Sequence, residues 1–145
     1  MDWKNKMASL GYRISEPRKR IMEVLESAEV ALSPQQIHQQ LELKGLEIGL
    51  VSVYRTLDLL TSLELVTTVY DPERNPGYVL SSTGHHHHII CQKCHKAIEF
   101  SGTDDIRELI KRVETETSFH VEDHLLQLFG ICPECLKSMS NRGEK

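Results

Sequence analysis

Much of what this sequence implies comes first from what it lacks. No run of apolar residues approaches the ~20 needed to cross a bilayer, and the opening Met1-Asp2-Trp3-Lys4 has no apolar core of the signal-peptide kind. Both absences point to a cytoplasmic protein with no membrane partner. Basic charge is not in excess: 17 Lys and Arg against 21 Asp and Glu leave a net −4, which argues against a wholly basic nucleic-acid coat. There is no His-Glu-x-x-His motif and no evident general base, so an enzyme is not expected. Cysteine is scarce, with four in 145 residues. What remains is an ordinary globular composition, 39% hydrophobic and 26% charged, long enough for one domain or two small ones.

The four cysteines are all in two knuckles, Cys91-Gln92-Lys93-Cys94 and Cys132-Pro133-Glu134-Cys135. In a reducing compartment paired Cys-x-x-Cys motifs read as metal ligands before disulfides, and two knuckles can close one tetrahedral structural zinc site from Cys91, Cys94, Cys132 and Cys135. A run of four histidines, His85 to His88, leads directly into the first knuckle. If 85–90 is a strand, His85 and His87 face one way and His86 and His88 the other, so one short strand can serve two metal sites.

In the N-terminal half, residues 3–10 read as a short helix. Ser15-Glu16-Pro17 starts a second, with Ile21, Val24, Leu25 and Ala28 at helical spacing. Ser33-Pro34-Gln35-Gln36 has the form of a capping box and starts a third, which Gly45 ends. The stretch 51–60 predicts a further helix with Val53, Leu57 and Leu60 inward and Ser52, Arg55, Thr56 and Tyr54 outward. Leu65–Tyr70 and Tyr78–Leu80, flanking a Pro/Gly/Asn-rich segment, predict a hairpin. Helices followed by a hairpin are the order of a winged helix-turn-helix. The same architecture also serves protein docking, but the outward side chains are types that meet phosphates and base edges. Between residues 4 and 20, six basic residues face the single acid Glu16, a local basic patch in an acidic chain.

The C-terminal half reads as the histidine strand, a second strand at Ala97–Phe100, a helix from about Asp104 with Ile106, Leu109, Ile110 and Val113 inward, and a last strand from Val121 to Phe129 carrying His124. Gly143-Glu144-Lys145 and the polar residues before them read as a frayed tail. So small a core is expected to be completed by a second copy of the chain, and a homodimer suits two recognition helices on a palindromic operator. The expected fold is α+β: a winged-helix DNA-binding domain over 1–80, a hinge at 81–84, and a metal-binding dimerisation domain over 85–145.

These features resemble the ferric uptake regulator family of metal-dependent bacterial transcription regulators. The resemblance runs from Gly11-Tyr12-Arg13-Ile14-Ser15-Glu16-Pro17-Arg18 through Gly49-Leu50-Val51-Ser52-Val53-Tyr54-Arg55-Thr56-Leu57 to His85–Cys94, Glu99-Phe100, His124 and Gly130-Ile131-Cys132. It implies a metal-responsive regulator that binds a double-stranded operator as a homodimer, most often as a repressor. Tyr54 and Arg55 match recognition-helix residues and Arg13 a minor-groove contact. The four cysteines match the structural zinc site. His86, His88 and Glu99 match part of a hinge metal site, and His85, His87 and His124 part of a site in the dimerisation domain.

The chain also departs from that pattern. Where the family places a His before the second helix and an acid at the end of the wing, this chain has Ala31 and Val79, with Leu80 and Ser81 beside it; where the second site takes a Glu, it has Arg107. His38, Asp71, Glu73, Asp105 and Glu108 are candidates to fill in. The poverty of acids favours Zn(2+) over Fe(2+) or Mn(2+) as the regulatory metal. The alternatives are a zinc-dependent hydrolase, three histidines with an open position being able to activate water, and a zinc-buffering or protein-docking module without DNA binding.

Overall fold

The computed structural model describes residues 2–82, 86–102 and 105–141, and the side chain of Asp105 is not among what it describes. The first four elements are helices: α1 (Trp3–Ser9), α2 (Glu16–Ser27), α3 (Pro34–Leu43) and α4 (Leu50–Ser62). Their starts follow from local chemistry. Ser15 Oγ accepts from the Arg18 N–H, and at α3 the full capping box forms: the Gln36 N–H donates to Ser33 Oγ at 3.1 Å while the Ser33 N–H donates to Gln36 Oε1 at 2.9 Å. After α3, Gly45 takes φ +74°, a left-handed turn that glycine adopts without strain. Ile21, Ile37, Leu41, Val53, Leu57 and Leu60 are wholly buried in one core, which is the helical face the sequence predicts. Trp3 lies against that core while its Nε1 donates to Glu26 Oε1 at 2.6 Å.

Strands β1 (Val66–Tyr70) and β2 (Pro76–Leu80) form the antiparallel hairpin of a wing. Asp71 organises its turn, with Oδ1 accepting from the N–H groups of Glu73 and Asn75 and Oδ2 from Asn75 Nδ2. These bonds, the Asn75 N–H first, hold the Asp71 carboxyl below its ordinary pKa against a smaller desolvation effect. The α2–α3 connector adds to the wing: Leu32 and Tyr78 exchange backbone hydrogen bonds of 3.1 and 2.8 Å.

The second sheet has the order β4-β3-β5, with β3 (His86–Cys91) central, β4 (Ala97–Ser101) antiparallel to it and β5 (Gln127–Gly130) parallel. Between β4 and β5 runs α5 (Asp105–Thr117), and α6 (Pro133–Asn141) follows β5. Two expectations are corrected here. The last strand spans only Gln127–Gly130, because those four residues alone meet β3, and 121–126 approach it as irregular chain. Much of the expected tail is helix α6, begun by Pro133 in its first turn; the residues beyond Asn141 lie outside the described residues.

The two sheets are tied directly. The Ala97 N–H donates to the Glu29 carbonyl at 3.1 Å beside a Val30–Lys96 bridge. Gln127 makes two hydrogen bonds to the backbone of Tyr70, and Ser82 makes two to Glu99.

Candidate functional site

The four sulfurs converge. Cys91, Cys94, Cys132 and Cys135 have Sγ atoms within 4.8 Å of one another, with Cys94 and Cys132 at 3.7 Å, and none is in a disulfide. Tetrahedral zinc at a Zn–S distance of about 2.3 Å needs sulfurs about 3.8 Å apart. The spacing therefore suits zinc and is far beyond an S–S bond. The first knuckle turns at the end of β3, where the His95 N–H donates to the Cys91 carbonyl and His95 takes a left-handed φ of 65°. The second knuckle opens α6.

Burial pushes the Cys91 thiol up, but backbone N–H groups of Cys94, Cys132 and Lys93 aimed at its sulfur outweigh burial and bring its pKa to about 6. The Lys93 and Cys132 N–H groups lie 3.4 and 3.3 Å from that sulfur. Cys135 is pushed up to about 12, chiefly by the neighbouring Cys132 sulfur and then by burial. One preformed thiolate among crowded thiols is the electrostatic state that a divalent soft-ligand cation relieves.

The alternation expected of the histidine strand is realised by its pairing. His86, His88 and Ile90 are in register with Ser101, Glu99 and Ala97 on β4, and His88 and Ile90 with Gln127 and Phe129 on β5; these residues share the face toward the wing. His87, Ile89 and Cys91 share the other face, where the His87 ring lies 5.8 Å from Phe100 and 5.6 Å from His124 between centroids. His85 lies outside the described residues. His87 and His88 are both buried, at 8% and 6% exposure. Burial lowers the pKa of His88, with the nearby Glu99 opposing and His86 and His87 adding to the effect. It is a neutral imidazole at neutral pH, the form that ligates metal.

On the wing-facing side, Glu99 is held rather than solvated. Its Oε1 accepts from the Ser82 N–H at 3.1 Å, its Oε2 from the Ser82 hydroxyl at 2.6 Å, and His86 Nδ1 stands 3.9 Å away. His88 and Glu99 line a cavity of about 230 Å³ whose other wall is Val79, Leu80, Glu26 near the end of α2 and Glu29 just after it. Among the described residues, the four cysteines are the only set of three or more potential ligands within 4.8 Å of one another. Of the candidates to fill in, His38 pairs with Glu42 at 3.3 Å, Asp71 holds the wing turn, Glu73 and Glu108 are exposed, and the Asp105 side chain lies outside what is described.

On α4, Ser52, Tyr54 and Arg55 are exposed, and Gln35 Nε2 on α3 donates to Tyr54 Oη at 2.9 Å. Thr56 is a correction. It is 7% exposed because it shares the buried stripe of Val53 and Leu60, three and four residues away, beside buried Leu57. Arg13 is exposed just before α2, with its carbonyl accepting from Arg18 Nη1 at 2.6 Å. Sequence reasoning missed Gln127, Ser82 and Gln35, whose partners lie far along the chain and leave no local signal.

Known proteins agree with this architecture. A ferric uptake regulation protein of Bacillus subtilis is 34% identical over 138 residues, covering 91% of this chain and 91% of that one. A ferric uptake regulator of Francisella tularensis, solved with iron, superposes with a TM-score of 0.63 at 28% identity over 87% of this chain and 96% of that chain. A zinc uptake regulator complexed with zinc and DNA superposes with a TM-score of 0.78 over 94% of this chain and 92% of that chain, and its 18% identity carries the fold alone. The model of the Ferric uptake regulator family matches residues 9–129, and the chain belongs to that family.

Proposed function

We propose that this metal-responsive DNA-binding transcription regulator represses genes of metal homeostasis or stress, acting in the cytoplasm as a homodimer on palindromic operators. The single observation that carries the reading is the direct hydrogen bonding of the winged helix to the sheet on which the metal-ligand residues lie. In our reading residues 1–80 bind DNA through Arg13, Ser52, Tyr54 and Arg55, 81–84 are the hinge, and 85–145 dimerise and hold metal. Cys91, Cys94, Cys132 and Cys135 hold a structural zinc. His85, His87 and His124 form the site within the dimerisation domain, and His86, His88 and Glu99 the hinge-facing one.

Zn(2+) is our preferred regulatory metal. The ligands are dominated by imidazole, which suits zinc, and Glu99, the acid among them, has both oxygens engaged by Ser82. The metal acts by biasing the arrangement of sheet and winged helix, a population shift that needs a higher affinity for the DNA-competent state. A mobility-shift titration with and without chelator tests the reading. Binding of duplex DNA that depends on metal and falls steeply with salt is expected. Metal-independent binding, or none, is the opposing result. His86→Ala is expected to weaken metal-dependent operator binding, and unchanged affinity across a metal titration removes His86 from the site.

A further inference from the structure

We propose that the side-chain amide of Gln127 is a positioning residue for DNA recognition: it clasps the wing to the metal-binding sheet and carries the state of the histidine strand to the winged helix. The inference rests on the regulator reading above. Gln127 Oε1 accepts from the Tyr70 N–H at 2.9 Å and Gln127 Nε2 donates to the Tyr70 carbonyl at 2.6 Å, so one side chain satisfies both main-chain groups of a residue 57 positions away. Tyr70 ends β1 opposite Pro76, and because the Asp71 N–H one position on donates to the Asn75 carbonyl across the hairpin, the N–H and C=O of Tyr70 point away from β2. The amide thus pairs with the outer edge of β1, on the side away from β2. Two residues on, and on the same face of β5, the Phe129 ring receives the guanidinium of Arg74 from the wing turn, with Cζ 4.3 Å from the ring centroid.

The other end of the clasp is the candidate metal strand. Gln127 is in register with His88 on β3, and His124 stands three residues before it. A metal that fixes His88, or His87 and His124, therefore fixes the strand from which the amide reaches the wing. Ala31 and Val79 offer no ligand atom, and the contacts that cross from wing to sheet here are those of Gln127 and Phe129. The wing is joined to the sheet by protein hydrogen bonds, and the metal acts on those.

The test uses the full-length zinc-loaded protein as wild type, Gln127→Leu, Gln127→Asn and Phe129→Leu. The probe is the duplex that wild type selects from a random pool. Amide hydrogen exchange should show Tyr70 protected in wild type and exchanging at least about tenfold faster in both Gln127 variants. Duplex affinity in the presence of zinc should fall about tenfold, and the ratio of affinities with and without zinc should shrink, while cysteine-bound zinc, dimer mass and thermal midpoint stay unchanged. A role confined to stability would move the midpoint and leave that ratio alone. An unprotected Tyr70 amide in wild type overturns the clasp. So does wild-type affinity and zinc response in the Gln127 variants. If Gln127→Leu does not fold, Gln127→Asn and Phe129→Leu decide the matter by the same measurements. A wild-type protein that selects no duplex overturns the regulator reading, a failure distinct from loss of Tyr70 protection.

Discussion

At the scale of single residues, the tightest steric demand falls on Gly77, buried in β2. A Cβ there would lie 2.9 Å from the Ala31 Cβ and 3.2 and 3.3 Å from backbone atoms of Ala31 and Leu32. The backbone neighbours cannot turn aside as the end of a flexible side chain would, so the wing and the α2–α3 connector must separate. Gly77→Ala is expected to lower stability by about 1–3 kcal/mol, read as a lower urea midpoint, with bound zinc unchanged. The Cys91 thiol gives a second expectation. Its folded pKa, about 6, lies below the ordinary thiol value of about 8.5. In the metal-free protein its contribution to stability is therefore present above about 8.5 and is lost as pH falls through about 6. Thiolate absorbance of that protein should show one group titrating near 6, and zinc added at neutral pH should release fewer protons than the number of sulfurs it binds. Cys91→Ser should remove the low titration.

At the scale of elements, α4 presents two faces with separable consequences. If α4 is the recognition helix, as we propose, Arg55→Ala should weaken operator binding and reduce the slope of log affinity against log salt by about 1, because an exposed guanidinium there would neutralise a phosphate. Thr56→Ala, altering a buried position, should lower the thermal midpoint and leave that slope unchanged. A salt slope moved by Thr56→Ala would place its hydroxyl at the DNA. The Thr56 case also shows where the sequence stops being readable. Capping boxes and turns are legible because their partners lie a few residues apart, and Ser33 and Gln36 meet as their spacing implies. Thr56 has polar chemistry at an apolar position, and only the helical period, not the residue type, tells its direction. The paired cysteines and the alternation of His86, His87 and His88 were legible for the same local reasons. The extent of β5 was not, since apolar residues from Val121 onward suit a strand but only 127–130 find a neighbour. Gln127 had no local mark at all, because its partner is brought to it by the whole fold.

At the scale of the molecule, the two faces of the β4-β3-β5 sheet divide the work. One carries His88, Gln127 and Phe129 toward the wing. The other carries a row in register, Ile98, Ile89 and Leu128, of which Ile98 and Leu128 remain 47% and 46% exposed. The inward stripe expected of α5 is likewise uncovered within one chain, with Leu109 at 46% and Val113 at 37% exposure. A second copy is the natural cover. In a two-fold interface each substitution counts twice. Burying one leucine stabilises by about 1.5–3 kcal/mol, so losing two costs about 3–6 kcal/mol per dimer. Leu128→Glu is therefore expected to raise the dimer dissociation constant by two to four orders of magnitude, about tenfold for each 1.4 kcal/mol. Sedimentation should show monomers at concentrations where the wild type is dimeric. Operator affinity should fall with it, because two recognition helices no longer act as one ligand, while the four-cysteine zinc, closed within one chain by Cys91, Cys94, Cys132 and Cys135, stays bound. A Leu128→Glu protein that sediments as a dimer would assign the partner contact to α5 alone, and Val113→Glu is the variant that then separates the chains.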